Sequence, residues 1–124
     1  MSVAMTAAER AHRRAVETNL PDLVRVLDEA LGRSLLAHIA GVDPKTIGRW
    51  IDAKQAPRAD VAEARIRTAF QVMQMLLVRD SEHTVRAWFI GLNPQLDDTA
   101  PAEALRAGQL REVIVAVKSF TLAG

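Results

Sequence analysis

The sequence contains no cysteine and no tyrosine, and aromatic residues make up only 4% of its 124 positions. The absence of cysteine excludes disulfides, thiolate zinc sites and cysteine nucleophiles. Three histidines, His12, His38 and His83, do not form a recognisable metal constellation, and no cofactor is expected. Because sheets are usually enriched in aromatic and β-branched residues, the scarcity of aromatics favours helices that pack closely through small and aliphatic side chains.

The sequence also lacks a strong charge of either sign, with 16 Lys and Arg against 15 Asp and Glu and a formal net charge of +1. Any DNA contact must therefore come from locally placed cations rather than from bulk charge. No segment is long and apolar enough to cross a bilayer, and the N-terminal stretch before Glu9 and Arg10 does not resemble a signal peptide. We therefore expect a cytoplasmic protein with no membrane partner.

Hydrophobic residues, 49% of the chain, recur at helical spacing, and no alternating strand pattern is present. The fold class predicted is all-α, with Pro57 as the boundary between an N-terminal lobe at 1–58 and a C-terminal helical lobe at 59–124. At 124 residues the chain has the size of one domain or of two small lobes that share one core. A first helix with a weak apolar stripe is predicted from Thr6 to about Glu17. The later helix starts are predicted from a polar cap or a cap followed by proline, at Asn19-Pro21, Ser34, Asp43-Pro44, Ser81 and Thr99-Pro101. Helix ends are predicted at four glycines, namely Gly32, Gly41, Gly91 and Gly108.

Three predicted helices have apolar faces. The last helix carries Val-Ile-Val-Ala-Val at 113–117 and is apolar nearly all round, so it must be buried in the chain's own core or against a partner. Its inward side is predicted to include Phe120. Trp88 and Phe89, on the helix that Ser81 begins, favour a core position over an interface. The long helix from about Asp60 to Val78 is predicted to bury Val61, Ala64, Ile66, Ala69, Phe70, Met73, Leu76 and Leu77.

Residues 33–52 have the pattern of a helix-turn-helix. Two short helices that cross steeply need a small residue at their contact, a glycine in the turn and apolar residues that hold the second helix in place. Ala37 supplies the small residue and Gly41 the turn. Val42, Ile47 and Trp50 supply the apolar contacts, so the spacing agrees at several independent positions.

The second helix of such a pair would enter the major groove of DNA. Lys45 and Arg49 lie four residues apart and point the same way, on a solvent face predicted to include Thr46 and Gly48. Arg49 is the candidate base reader because a guanidinium can bind guanine through two hydrogen bonds. Candidate phosphate contacts, which position the protein without specifying a sequence, are Arg33, Ser34, Lys45, Lys54 and Arg58. A monomer with so little charge would bind weakly, so at least a dimer is expected.

The C-terminal third has a second pattern of closely spaced residues. Trp88 at a helix end is followed by an Asn93-Pro94 turn and Leu96, then by a proline-initiated helix over 101–105, Gly108 and a last helix containing Val113. Together with the Arg49-Trp50 pair and the long helix that contains Arg65, this pattern resembles the Xre/MbcA/ParS-type antitoxins over about residues 30–120.

The resemblance implies a type II antitoxin that is not itself an enzyme. Such a protein binds and neutralises a RES-domain toxin, which degrades NAD, and represses its own operon by binding operator DNA. The implied assembly is a homodimer or a larger hetero-oligomer with the toxin. The residues implied on the toxin-binding surface are Trp88, Asn93, Arg106, Gly108, Gln109 and Arg111.

Other interpretations remain open from the residues alone. The chain could be a stand-alone helix-turn-helix transcriptional regulator whose C-terminal region serves dimerisation. It could also be an antitoxin whose helix-turn-helix serves assembly and does not read DNA, because two short helices joined by a glycine also occur in proteins that never bind DNA. Catalysis is not expected, since no nucleophile–base pair and no glycine-rich phosphate loop is present.

Overall fold

The computed structural model describes residues 4–53 and 60–123, and these residues form an all-α fold. A short 3-10 helix, Pro94–Leu96, lies between the sixth and seventh α-helices, and the one extended pairing in the described part of the chain is a bridge between Asn93 and Thr99. The α-helices are α1 Ala7–Glu17, α2 Leu20–Leu31, α3 Arg33–Ala40, α4 Pro44–Asp52, α5 Asp60–Leu77, α6 Glu82–Ile90, α7 Pro101–Arg106 and α8 Leu110–Ala123.

Polar caps begin four of the helices, and three of these caps, Asn19, Asp43 and Ser81, were predicted. In each, the side chain accepts a hydrogen bond from a backbone N–H in the first turn, which satisfies a donor that has no partner within the helix. The four caps are Thr6, Asn19, Asp43 and Ser81.

Two predicted helix starts are wrong by one or two residues. Helix α3 begins at Arg33, and Gly32, with φ +89°, both ends α2 and precedes α3, so Ser34 lies inside the helix and does not cap it. Helix α7 follows Ala100, which makes no side-chain cap bond. Thr99 instead pairs through its backbone with Asn93 across the preceding loop.

Helix α5 lies at the centre of the core and contacts α1, α2, α3, α6, α7 and α8. Ile66 is fully buried as predicted, whereas Val61 is 59% exposed and Ala64 is also exposed. Val72 and Met75, absent from the predicted face, are buried instead. Because helices surround α5 on several sides, its buried surface includes residues outside the broad face that the periodicity suggested.

The helices on both sides of residues 54–59 share one hydrophobic cluster. Leu23 and Leu36 from the N-terminal part and Phe89 and Val117 from the C-terminal part all belong to it. Helix α1 packs against α5, and α3 packs against α7. The predicted boundary residue, Pro57, lies outside the described residues, and the two parts of the chain form one core around α5.

Helix α8 is buried on one side only. Val113, Ala116 and Val117 are buried, but Val115 is 52% exposed and Phe120 is 44% exposed. Of the two predicted alternatives, burial in the chain's own core holds for Val113, Ala116 and Val117 and does not hold for Val115.

Five arginines donate hydrogen bonds to backbone carbonyls near helix C-termini. Carbonyls in the last turn of a helix have no partner within it and carry partial negative charge, so a guanidinium both satisfies and neutralises them. The bonds are Arg67 to Ala15 and Thr18, Arg86 to Ala30, Arg65 to Ala40, Arg106 to His38 and Arg79 to Thr121. A large part of the positive charge of this chain is thus used within its own fold.

None of the helices described in residues 4–53 and 60–123 has both the length and the apolar character needed to span a bilayer.

Candidate functional site

The turn between α3 and α4 is a glycine turn stabilised by the end of α3. Gly41 has φ +77°, and its N–H donates to His38 O at 3.2 Å, while Val42 N–H donates to Ala37 O at 3.0 Å. These are the two bonds of a Schellman cap, which requires a left-handed residue where glycine stands. A Cβ atom at Gly41 would also lie 2.7 Å from Arg65 Nη1. The backbone angle therefore favours glycine at this position, and any other residue would also have to displace the end of the Arg65 side chain.

The apolar residues predicted to hold α4 against α3 do so. Ala37 is 2% exposed and Ile47 is fully buried, while Val42 and Trp50 are partly buried and pack against the core. These contacts cover one side of α4 and leave its opposite side in solvent.

The exposed side of α4 carries a pair of cations. Lys45 and Arg49 are exposed, Thr46 is half-buried between them, and Arg49 Nη2 donates to Thr46 Oγ1 at 2.9 Å. Neither cation forms an ion pair with any residue that the structure describes. Since a guanidinium has five N–H donors, Arg49 keeps free donors beside the one used. We name Lys45, Thr46 and Arg49 the α4 cationic face.

The prediction that Gly48 lies on this solvent face is wrong. Gly48 is buried, and a Cβ atom there would lie 2.7 Å from Arg33 Nη1. The guanidinium of Arg33 thus lies across Gly48. On its other edge, Arg33 Nε donates to Asp28 Oδ1 at 2.8 Å and Arg33 Nη2 donates to Asp28 Oδ2 at 3.1 Å. The hydrogen bonding to Asp28 raises the pKa of Arg33, and the charges of Asp28 and Asp52 add to the effect.

Of the remaining predicted DNA contacts, Arg33 and Ser34 lie at the start of α3. Arg33 is held by Asp28, a residue that the sequence interpretation missed because nothing in the sequence pairs α2 with α3. Ser34 is exposed in the first turn of α3. Lys54 and Arg58 lie outside the described residues.

A second surface lies where α6, the following loop and α8 meet. A cavity of about 300 Å³ is lined by Thr84, Ala87, Trp88, Gly91, Leu92, Asn93 and Phe120; we name it the C-terminal groove. The ring of Trp88 lies edge-on to buried Phe89 at a centroid distance of 5.7 Å and 6.3 Å from the ring of Phe120. Leu92 is 75% exposed at the same place. The groove is therefore apolar, anchored to the core at one aromatic ring and open to solvent at its rim.

Two of the six residues implied for toxin binding, Trp88 and Asn93, line this groove. Asn93 also shapes the loop beside it, because its Oδ1 accepts from Gln95 N at 2.9 Å and its N–H donates to Thr99 O at 3.2 Å. The same loop contains two consecutive left-handed residues, Asp97 with φ 54° and Asp98 with φ 60°.

The other four residues lie along the α7–α8 connection. Gly108, Gln109 and Arg111 are exposed and do not line the groove. Arg106 is used within the fold, because its Nη1 donates to His38 O at 2.9 Å. Next to this bond, His38 Nε2 and Glu103 Oε2 are also hydrogen-bonded. Arg106 thus belongs to the contact between α7 and α3, and only part of its guanidinium can meet a partner.

Sequence reasoning missed the exposed apolar residues of this region. Ile90, at the end of α6, is 58% exposed, and Leu92 and Phe120 are exposed at the groove. Leu92 follows Gly91 outside any helix, so no periodicity could have placed it. Phe120 continues the buried stripe of α8 but lies near the helix end, where it meets Trp88 rather than the centre of the core.

Among the residues that the structure describes, no group of three or more His, Asp or Glu side chains could hold a metal ion. No protein-family model, no curated protein and no solved structure matches the chain. Function is therefore inferred from the α4 cationic face and the C-terminal groove.

Proposed function

We propose that this chain is a type II antitoxin that binds operator DNA through the α4 cationic face and a RES-domain toxin through its C-terminal helices. The observation that carries the proposal is the presence, on one small helical core, of two exposed surfaces with different chemistry. One presents Lys45 and Arg49, and the other presents Leu92 and Phe120. The class of toxin comes from the resemblance of the C-terminal third to Xre/MbcA/ParS-type antitoxins.

The DNA-binding part of the proposal depends on where the free cations lie. Five arginines donate to the chain's own backbone carbonyls, and Arg33 is paired with Asp28. Lys45 and Arg49 instead share the solvent face of a short second helix that follows a tight turn, the position from which such helices contact bases and phosphates. Binding by so few cations is expected to be weak for one chain and strengthened by a dimer.

Substitution of Arg49 tests the base-reading role. We expect Arg49→Ala to weaken binding to a duplex from upstream of the chain's own gene by roughly tenfold or more, the loss typical of one good base contact. Binding to a random duplex of equal length should change less. Arg13→Ala is the matched control, because the Arg13 side chain is 62% exposed on α1 and its removal changes the net charge equally. Equal losses on both duplexes would contradict base reading by Arg49.

The toxin-binding part of the proposal depends on the apolar rim of the C-terminal groove. Exposed apolar patches bounded by polar residues commonly mark protein interaction sites. Leu92, 75% exposed, and Phe120, 44% exposed, lie on either side of the groove that Trp88 and Asn93 line. Gln109 and Arg111 are exposed and free to contribute polar contacts at the start of α8.

Co-expression tests the toxin partnership. The product of the neighbouring gene, expressed alone, should arrest growth and lower cellular NAD, and this chain should relieve both effects and co-elute with it in size-exclusion chromatography. Leu92→Ser should weaken that complex by roughly tenfold or more, as expected for an apolar contact near the centre of an interface. Val16→Ser on α1, where Val16 is 60% exposed, is the matched control. Absence of toxicity and of a complex would contradict the antitoxin proposal.

The stand-alone regulator is the second candidate, and the same groove favours it. An open apolar groove with an exposed Phe120 also suits a second copy of this chain. In that case Leu92→Ser should dissociate a homodimer of the purified chain and lower its affinity for the upstream duplex, with no toxin involved. The mass of the purified chain in solution, with and without Leu92→Ser, separates the two candidates.

A further inference from the structure

Arg33 connects three helices although it belongs to only one. Its backbone begins α3, its Nε and Nη2 bind the carboxylate of Asp28 on α2, and its Nη1 faces the backbone of Gly48 on α4. The Asp28 side chain is only 18% exposed, so this pair is partly shielded from solvent.

The same geometry leaves Arg33 poorly placed to bind a phosphate. The Arg33 side chain is 45% exposed, but its Nε and Nη2 are hydrogen-bonded to Asp28, its Nη1 lies close to Gly48, and the negative charge of Asp28 offsets its own. Lys45 and Arg49 have no such partner among the described residues. The sequence-based role of Arg33 as a phosphate contact therefore gives way to a structural one.

The close approach also explains a glycine in the middle of a nine-residue helix. Glycine is a poor helix former, and Gly48 has an ordinary helical backbone, so its conformation does not require it. A Cβ atom at position 48 would meet the end of the Arg33 side chain, which would have to shift, so glycine is what lets Arg33 lie across α4 in this position. Lys45 and Arg49 flank this contact along α4, so the distance of α4 from α2 and α3 sets where both cations lie.

We propose that Arg33 is a positioning residue for α4: the Asp28–Arg33 pair, laid across Gly48, fixes how α4 sits against α2 and α3 and so aims Lys45 and Arg49. The expected effect of this pair on DNA binding rests on the proposed function, whereas its effect on the position of α4 is independent of that function.

Asp28→Asn separates positioning from phosphate contact because the two roles predict opposite signs. Removal of the carboxylate charge frees a phosphate-binding arginine and lowers repulsion of DNA, so affinity would rise for every duplex. A positioning pair is weakened instead, so affinity for the upstream duplex should fall by roughly tenfold, as for the loss of a charged hydrogen bond. The salt dependence of DNA binding gives a second criterion. Lys45→Ala should lower the magnitude of the slope of log K against log salt by about 1. Arg33→Ala should have the same slope as the control Arg13→Ala.

Amide hydrogen exchange tests the placement of α4 without DNA. Arg33→Ala, Asp28→Asn and Gly48→Ala should each speed exchange in α4 more than in α1, whereas Arg13→Ala should not. Gly48→Ala changes no charge and keeps the fold testable if Arg33→Ala does not fold. If the wild type does not prefer the upstream duplex but α4 exchange responds as stated, the proposed function fails and the positioning role stands. Unchanged α4 exchange in all three variants, or tighter DNA binding by Asp28→Asn, would overturn the positioning role.

Discussion

The turn between α3 and α4 and the turn between α7 and α8 use the same backbone chemistry in different surroundings. Gly41 has φ +77° and Gly108 has φ +85°. In both turns the residue after the glycine donates to the carbonyl five residues earlier, at 3.0 Å in the first and 2.9 Å in the second. Both are Schellman caps, which end a helix and reverse the chain with few residues.

The two turns differ in what surrounds the glycine. A Cβ atom at Gly41 would meet Arg65, while one at Gly108 would meet nothing within 4 Å. The next residue is Val42, packed against the core, in the first turn and Gln109, exposed to solvent, in the second. Gly41 itself is exposed, but Arg65 and the core cover one side of its turn, whereas no residue that the structure describes covers the turn at Gly108, which is open to a partner. The backbone motif alone does not distinguish a structural turn from an interaction surface.

The largest expected difference is between Gly41→Ala and Gly108→Ala. A left-handed backbone costs alanine about 1–2 kcal/mol at either position. Gly41→Ala must also displace the Arg65 guanidinium, so its total loss in the free energy of unfolding should be about 2–4 kcal/mol. Urea denaturation of both variants and the wild type measures the difference. Equal losses would show that crowding by Arg65 contributes nothing.

Arg65→Met sharpens this comparison. Methionine has a similar length but lacks the Nη1 group that donates to Ala40 O at 3.3 Å, and it also removes Arg65 Nε, a buried donor without a partner. The loss of the hydrogen bond to Ala40 O and the removal of the unpaired buried Nε have opposite effects on stability. Arg65→Met alone should therefore change the free energy of unfolding by less than about 1 kcal/mol. In the double variant, Gly41→Ala should cost less than it does alone, by about 1 kcal/mol. Additive effects would contradict steric coupling between the two residues.

Substitutions of the residues that follow the two glycines should have an intermediate effect on the free energy of unfolding. Val42→Gln moves a polar amide into a partly buried contact with the core and should lower the free energy of unfolding by about 1–2 kcal/mol. Gln109→Val should change it by no more than about 0.5 kcal/mol, because the position is exposed. Thermal or urea unfolding of each single variant checks the ranking. A larger loss in Gln109→Val would mean that the second turn is not open.

The comparison also shows which features could be predicted from the sequence. Helix starts at Asn19, Asp43 and Ser81 were predicted because a cap acts on a backbone group two or three residues away. The burial of Gly48 was missed because it depends on Arg33 reaching across from a different helix. Helix caps can be predicted because they depend on residues that are close in the sequence. Contacts between helices depend on their packing, which the periodicity of apolar residues does not specify.

The candidate surfaces were predicted to different degrees for the same reason. Lys45 and Arg49 were placed correctly on the solvent side because Ile47 and Trp50 determine which side of α4 is buried. Leu92 had no such neighbours, since it lies in a loop whose path depends on the packing of α6 against the rest of the fold. The groove was therefore found only in the structure.

The smallest effects on stability are expected for the two variants that separate DNA binding from toxin binding. Arg49→Ala and Leu92→Ser each remove an exposed side chain, so each should change the free energy of unfolding by less than about 0.5 kcal/mol. Under the antitoxin proposal, Arg49→Ala should weaken binding to the upstream duplex and leave the toxin complex unchanged. Leu92→Ser should weaken the toxin complex and leave both the binding to the upstream duplex and the oligomeric state of the chain unchanged.

The same pair of variants distinguishes two surfaces from one. If Leu92→Ser weakens both DNA binding and self-association, the C-terminal groove holds a second copy of this chain, and the low charge of α4 explains why DNA binding would need that dimer. If Leu92→Ser weakens only the toxin complex, the α4 cationic face binds DNA and the C-terminal groove binds the toxin. The two outcomes are separated by titrating each variant with the upstream duplex and with the neighbouring gene product, and measuring its mass in solution.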